Sequence, residues 1–142
     1  MPHIRVVIHG VTGKMGSQVL AAVCNEPDME PVGAVDINIM SETLSLPDGS
    51  GTIPLASNLG DLLGSTAPRV MVDFTNASAG VSAALLASRH QISSVIGSSG
   101  IGDLAIAELE HEADKHGVGI IVAPNFAMGA VLLMRLASQA AP

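Results

Sequence analysis

The chain of 142 residues has no tryptophan, no tyrosine, two phenylalanines and one cysteine. A single cysteine, Cys24, excludes an internal disulfide and fits a reducing compartment, so a cytoplasmic setting is expected. Positive charge is also scarce, with six Lys and Arg against thirteen Asp and Glu and a formal charge of −7. That balance argues against nucleic acid or an anionic membrane as partner. No stretch reads as a bilayer span: the most apolar region, Val118 to Leu136, is broken by Pro124 and Asn125 and carries Arg135. Met1-Pro2-His3 lacks the basic region and apolar run of a signal peptide. The histidines His3, His9, His90, His111 and His116 show no pairing of the kind a metal needs, so no metal is expected.

What is present is apolar content, 48% of residues with a mean hydropathy of +0.48. That favours one domain over residues 1–142 built on a well-covered parallel sheet. Apolar runs at Ile4–His9, Val32–Asp36, Val70–Phe74, Ser94–Ile96 and Val118–Val122 read as strands. Helical stretches fall near Lys14–Cys24, Asn58–Leu63, Ser78–His90, Asp103–His116 and Met128–Gln139. Such alternation predicts right-handed crossovers and an α/β fold, a doubly wound parallel sheet of Rossmann type with strand order 3-2-1-4-5. Residues 37–52 carry Ser, Asp, Gly and Pro without periodicity and read as a surface excursion. Residues 127–142 form an apolar helix with few charges, which calls for cover on most sides.

The first strand runs straight into Gly10-Val11-Thr12-Gly13-Lys14-Met15-Gly16 and then a helix. Strand, glycine turn and helix in that order place unpaired N–H groups and a positive helix end where a pyrophosphate can sit. Lys14 is the candidate cation within the turn. About 20 residues past the last glycine, the second strand ends in Asp36, the position of a ribose-binding carboxylate in such units; the plain alternative is an Asp that caps a turn. Lys14-Met15 in place of Lys-Ser/Thr excludes a nucleoside triphosphatase loop. Ligands of α/β sheets gather beyond the carboxyl ends of the strands. Those ends read Asp73-Phe74-Thr75, Gly97-Ser98-Ser99-Gly100 and Ala123-Pro124-Asn125-Phe126-Ala127-Met128-Gly129. Gly97 and Gly100 would equally serve a simple turn, and Asn125 ordinary loop chemistry. His9 either lines the pocket or packs at the strand end. Cys24 lies about 12 Å or more from the glycine turn by helix rise, too far to act there.

These four segments, in this order and spacing, resemble the cofactor-binding domain of dihydrodipicolinate reductase over essentially the whole chain. The resemblance implies a reductase that uses NADH or NADPH to make tetrahydrodipicolinate for diaminopimelate and lysine synthesis. It implies that Gly10, Thr12, Gly13, Lys14, Met15 and Gly16 wrap the pyrophosphate and that Asp36 holds the adenosine ribose. It implies that Thr75, Gly97, Ser98, Ser99, Ala123, Pro124, Asn125 and Phe126 line the nicotinamide end. No catalytic residue is assigned to this chain. The family's His-His-x-x-Lys segment, its Lys-x-Asp-Ala-Pro-Ser-Gly-Thr-Ala segment and its closing segment are absent from the sequence. The substrate domain is therefore expected to be missing or supplied in trans, and the chain alone to be inactive. The terminal helix would lead toward that domain, or drive a homo-oligomer if left bare. Many family members carry Arg after the ribose acid where this chain has Ile37. With Asp36 repelling a 2′-phosphate, NADH is expected to be favoured over NADPH. The alternative is a free-standing, non-catalytic NAD(H)-binding or sensing module. A short-chain dehydrogenase active alone is excluded, since it needs a catalytic tyrosine.

Overall fold

In the computed structural model, residues 2–123 and 125–140 are described, apart from the side chains of Met128 and Ala140. The elements run β1 (Ile4–His9), α1 (Lys14–Asn25), β2 (Met29–Val35), β3 (Thr43–Ser45), β4 (Thr52–Ala56), α2 (Gly60–Thr66) and β5 (Val70–Asp73). They continue with α3 (Ala77–Arg89), β6 (Ser93–Ile96), α4 (Asp103–His116), β7 (Ile120–Val122) and α5 (Met128–Ala140). The seven strands form one sheet of order β3-β4-β2-β1-β5-β6-β7, parallel except for the antiparallel β3–β4 pair.

The Rossmann-type fold is as the sequence predicts, but the strand order differs in detail. Counted in chain order, Val70–Phe74 is the third expected strand, and the order 3-2-1-4-5 puts it outside the second. It pairs instead with β1, and the place beyond β2 belongs to β4. The excursion over 37–52 is thus partly ordered, holding β3 and the first residue of β4. Its connection turns at Pro47-Asp48-Gly49: Gly49 N–H reaches Leu46 O at 3.1 Å, and Asp48 Oδ1 accepts from the N–H and hydroxyl of Ser50. A Pro-Asp-Gly step with glycine at φ +76° is ordinary turn chemistry.

Buried positions on β1 alternate between the two faces, as a strand covered on both sides requires. Val7 joins Met71, Ile96, Leu109 and the alanines 83, 84 and 87 of α3 on one face. Val6 and Ile8 join Leu20 and Val23 of α1 with Ile53 and Leu55 of β4 on the other. Between β1 and β2 the register slips once, Val6 facing Pro31 and Val7 facing Gly33. Pro31 has no N–H to offer a ladder, which explains why the irregularity falls there. Beyond the slip His9 faces Val35, so Asp36 follows directly at the sheet's carboxyl edge.

The terminal helix differs from the others. On α5 the side chains of Val131, Leu132, Leu133, Met134 and Leu136 are exposed, Leu133 to 67%. No described helix is long and apolar enough to cross a membrane.

Candidate functional site

The carboxyl ends of β1, β2, β5 and β6 meet around two adjoining clefts. One, of about 290 Å³, is lined by His9, Gly10, Thr12, Gly13, Asp36, Ile37, Asn38, Phe74, Thr75, Asn76 and Ala79. The other, of about 320 Å³, is lined by Met15, Phe74, Gly97, Asn125, Phe126 and Ala127. Phe74 is the wall they share. A larger hollow of about 540 Å³ lies around Arg5, Cys24 and Glu30 at the opposite end of the strands. It has none of the glycine-turn residues and plays no part here.

The turn after β1 is shaped by close approach. Gly10 has φ +82°, and a side chain there would meet Thr75 Cγ2 at 2.8 Å and Phe74 O at 3.0 Å. Gly16 lies against the turn itself, where a Cβ would stand 1.9 Å from Gly10 O. Gly16 is thus buried as a contact between helix and turn rather than presented to a ligand. Gly13 is the N-cap of α1 and has no side chain to cap it. Ser17 N–H already reaches Gly13 O at 3.0 Å, whereas the amides of Lys14, Met15 and Gly16 precede the first intrahelical bond. Of these, Lys14 and Met15 are exposed, and their open N–H groups at the positive end of a helix fit an anion. By contrast α3 is capped by Asn76, whose Oδ1 accepts from Ala79 N at 3.1 Å. Thr12, Lys14 and Met15 are exposed on the turn.

Asp36 is 8% exposed, with Oδ2 accepting from Thr12 N at 2.9 Å and Oδ1 from Asn38 N at 3.1 Å. Burial pushes its carboxyl up. The hydrogen bonds from Thr12 and Asn38, with the charge of His9, outweigh that and hold it below the usual carboxylate value. The carboxylate therefore ties the glycine turn to the end of β2 and keeps an edge on the cleft. Its neighbour Ile37 is 83% exposed and offers no cation.

A second carboxylate, in the strand end Asp73-Phe74-Thr75, has no role assigned from sequence alone. Asp73 is fully buried at the end of β5. Its Oδ1 accepts from Thr75 Oγ1 at 2.7 Å and its Oδ2 from Ser98 Oγ at 2.9 Å. His9 Nδ1 approaches Oδ1 to 2.8 Å, although its N–H is not aligned along the bond. Burial raises this carboxyl, and the contacts from His9, Thr75 and Ser98 more than offset it, leaving it below the ordinary value. The helix behind is cut to fit: a Cβ on Gly80 would lie 2.5 Å from Asp73 Oδ2. Ser98, expected at the nicotinamide end, is buried with its hydroxyl turned inward to Asp73, while Ser99 is exposed. A strand of apolar residues that ends in Asp, Val-Met-Val-Asp, was the available signal.

Gly97 faces Phe74, and any Cβ there would come within 2.2 Å of the ring. The two phenylalanines of the chain meet at this cleft, with ring centroids 5.4 Å apart and planes tilted by 55°. Ala123 is half-buried at the end of β7, and Asn125 Oδ1 turns its own loop by accepting from Ala127 N at 2.8 Å. Pro124 lies outside the described residues. Among the described residues no group of three His, Cys, Asp or Glu is placed to hold a metal ion.

Comparison with known proteins agrees with this geometry. The family described as "Dihydrodipicolinate reductase, N-terminus" matches residues 4–126. A 4-hydroxy-tetrahydrodipicolinate reductase of Dehalococcoides mccartyi is 49% identical over 140 residues, spanning 99% of this chain and 53% of its own. The enzyme of that name from Syntrophomonas wolfei is 39% identical over 139 residues, covering 96% and 52% respectively. The chain thus spans about half the length of the curated relatives it matches. Among solved structures, a dipicolinate-bound dihydrodipicolinate reductase from Paenisporosarcina sp. TG-14 superposes with TM-score 0.80 at 34% identity, over 97% of this chain and 53% of that one. The WlbA dehydrogenase of Bordetella pertussis, in complex with NADH and UDP-GlcNAcA, shares the fold at TM-score 0.74 and 17% identity, over 93% and 40%. Fold, glycine turn and sequence together assign the chain to the dihydrodipicolinate reductase family, whose N-terminal portion it matches.

Proposed function

We propose that this chain is the dinucleotide-binding half of a reductase that uses NADH or NADPH, with NADH favoured, to reduce an unsaturated cyclic imine dicarboxylate on the route to diaminopimelate and lysine. The observation that carries the reading is the meeting of a positive-φ glycine, the N-cap of α1 and a buried carboxylate in one cleft at the strand ends, with the open amides of the first turn of α1 alongside. The cofactor, when bound, supplies the hydride. The residues of this chain bind and orient it. Gly10, Thr12, Gly13, Lys14 and Met15 hold the pyrophosphate by backbone approach, with Gly16 keeping α1 docked beneath them. Asp36 receives the ribose hydroxyls. Thr75, Gly97, Ser99, Ala123, Asn125 and Phe126 line the nicotinamide end, and Ser98 supports it from behind through Asp73.

The exposed apolar face of α5 is assigned to the substrate domain, in the same chain or in trans, and relatives about twice as long support that assignment. A second copy of this chain is the other occupant. Light scattering that shows a strict monomer of the 142-residue chain at high concentration removes the second copy.

Titration with NADH and NADPH tests the site, and with no Trp or Tyr in the chain the cofactor's fluorescence is read against little background. Saturable micromolar binding is expected, with NADH several-fold tighter. A 2′-phosphate beside Asp36 meets like charge, and about 1 kcal/mol at a partly exposed site corresponds to a several-fold preference. Asp36→Asn should bring the two dissociation constants within about twofold of each other. Tighter NADPH binding by the unmodified chain overturns the preference, and no binding at millimolar cofactor overturns the site.

A further inference from the structure

An anion as strongly charged as a pyrophosphate meets little positive charge in this protein. No Lys or Arg lines either cleft, and Lys14 is exposed on the turn. The titratable side chains on the walls are Asp36 and His9. His9 ends β1 immediately before Gly10, and its side chain is 14% exposed. Its Nδ1 is the nitrogen turned to Asp73, 2.8 Å away, which leaves Nε2 for the cleft. Asp73 is fully buried, takes two hydroxyls besides His9, and is out of reach of a ligand. Its charge is therefore available to balance an imidazolium and nothing else nearby. The charged groups around His9 are Asp73 from β5 and Asp36 directly after β2. The start of α1 brings Lys14, and the first two turns of α3 bring none.

We propose that His9 is a dinucleotide-binding residue: as an imidazolium balanced by Asp73, it supplies the positive side chain that the cleft otherwise lacks, and the pyrophosphate binds more tightly when it is charged. This rests on the cleft being a dinucleotide site. The carboxylates are already ionised above about pH 5, and imidazole is the side chain that ordinarily changes charge between about pH 5 and 8. The sign follows. Affinity is greater where His9 is charged, toward the acid end, and binding by the neutral form takes up a proton.

The probe is ADP-ribose, whose diphosphate does not titrate between about pH 5.5 and 8.5; NADPH is unsuitable because a phosphate monoester has a second pKa near about 6. Its dissociation constant is measured by calorimetry across that range, in paired buffers of different ionisation enthalpy so that proton uptake is read directly. The unmodified chain is expected to weaken about five- to tenfold from pH 5.5 to 8.5, with fractional proton uptake between. His9→Gln is expected to be flat, at the affinity the unmodified chain shows at high pH. An unchanged slope in His9→Gln, or no proton uptake by the unmodified chain, overturns the proposal, and the second result does not depend on how the variant folds. If neither ADP-ribose nor NADH binds at any pH, the dinucleotide reading falls and this proposal falls with it.

Discussion

Gly16→Ala is expected to abolish dinucleotide binding and to lower the melting temperature by about 10 °C. A methyl group at this position would sit 1.9 Å from Gly10 O, 2.7 Å from Gly10 C and 2.8 Å from Val11 Cα. All three are backbone atoms, so no side chain can swing aside to make room. Either α1 lifts from the sheet, breaking the contacts of Leu20 and Val23 with Ile8 and Val6, or the turn unwinds and its amides leave the cleft. Overpacking of this kind costs about 3 kcal/mol, which for a domain of this size corresponds to the shift above. The matching control is Gly64→Ala in α2, where a Cβ would meet nothing within 4 Å. There the alanine should stabilise by about 0.5–1 kcal/mol through helix propensity. Thermal melts of the two variants, read with the NADH titration, check both signs. A Gly16→Ala protein that binds NADH normally would mean that the turn is not held by α1 as described.

Asp73→Ala is the second large effect, an expected loss of about 2–4 kcal/mol. It strips the acceptor from Thr75 and Ser98, leaves His9 facing a void, and opens a gap against Gly80. Three strand ends lose their common anchor, so binding should weaken along with stability. Asp73→Asn keeps the volume and isolates the charge. Because the Asp73 carboxyl is held below its ordinary value in the folded protein, its contribution is complete above the unfolded carboxylate value of about 4. It is lost as pH falls through the lower folded value, where the unfolded chain binds the extra proton. The unmodified protein should therefore lose stability steeply on acidification below about pH 4, and Asp73→Asn less steeply. Denaturant unfolding at a series of pH values shows this, and parallel curves for the two proteins would remove Asp73 as the source.

The continuous apolar strands were plain in the sequence because burial on both faces leaves no polar positions to confuse the pattern. The expected bounds Ile4–His9 and Asp103–His116 coincide with β1 and α4. What failed was β4. Thr52–Ala56 carries Pro54, which ordinarily argues against an inner strand, and the clue was the alternation of Ile53 and Leu55 on one face. Pro54 is accommodated opposite Thr43 in the short antiparallel pair, a partnership that no local pattern announces. Missing β4 moved Val70–Phe74 to the wrong side of the sheet. The glycine turn and Asp36 were legible because their roles are local: a strand end, a tight turn, a helix start. The group around Asp73 was not, since His9 and Ser98 lie 64 and 25 residues away along the chain and only the sheet order brings them together. Sequence alone accordingly does not show that the Ser98 hydroxyl faces inward to Asp73.

The central position of β1 also has a kinetic consequence. The first strand in the chain is flanked by β2 on one side and by β5, more than sixty residues later, on the other. Closing so long a loop precedes the contacts that reward it, and parallel pairing of this range is slow. The cleft needs residues from β1, β2, β5 and the segment after β6, so nothing resembling it exists until β1 has been enclosed. A dinucleotide added to refolding protein should then leave the folding rate nearly unchanged. Its stabilisation should emerge almost wholly as slower unfolding.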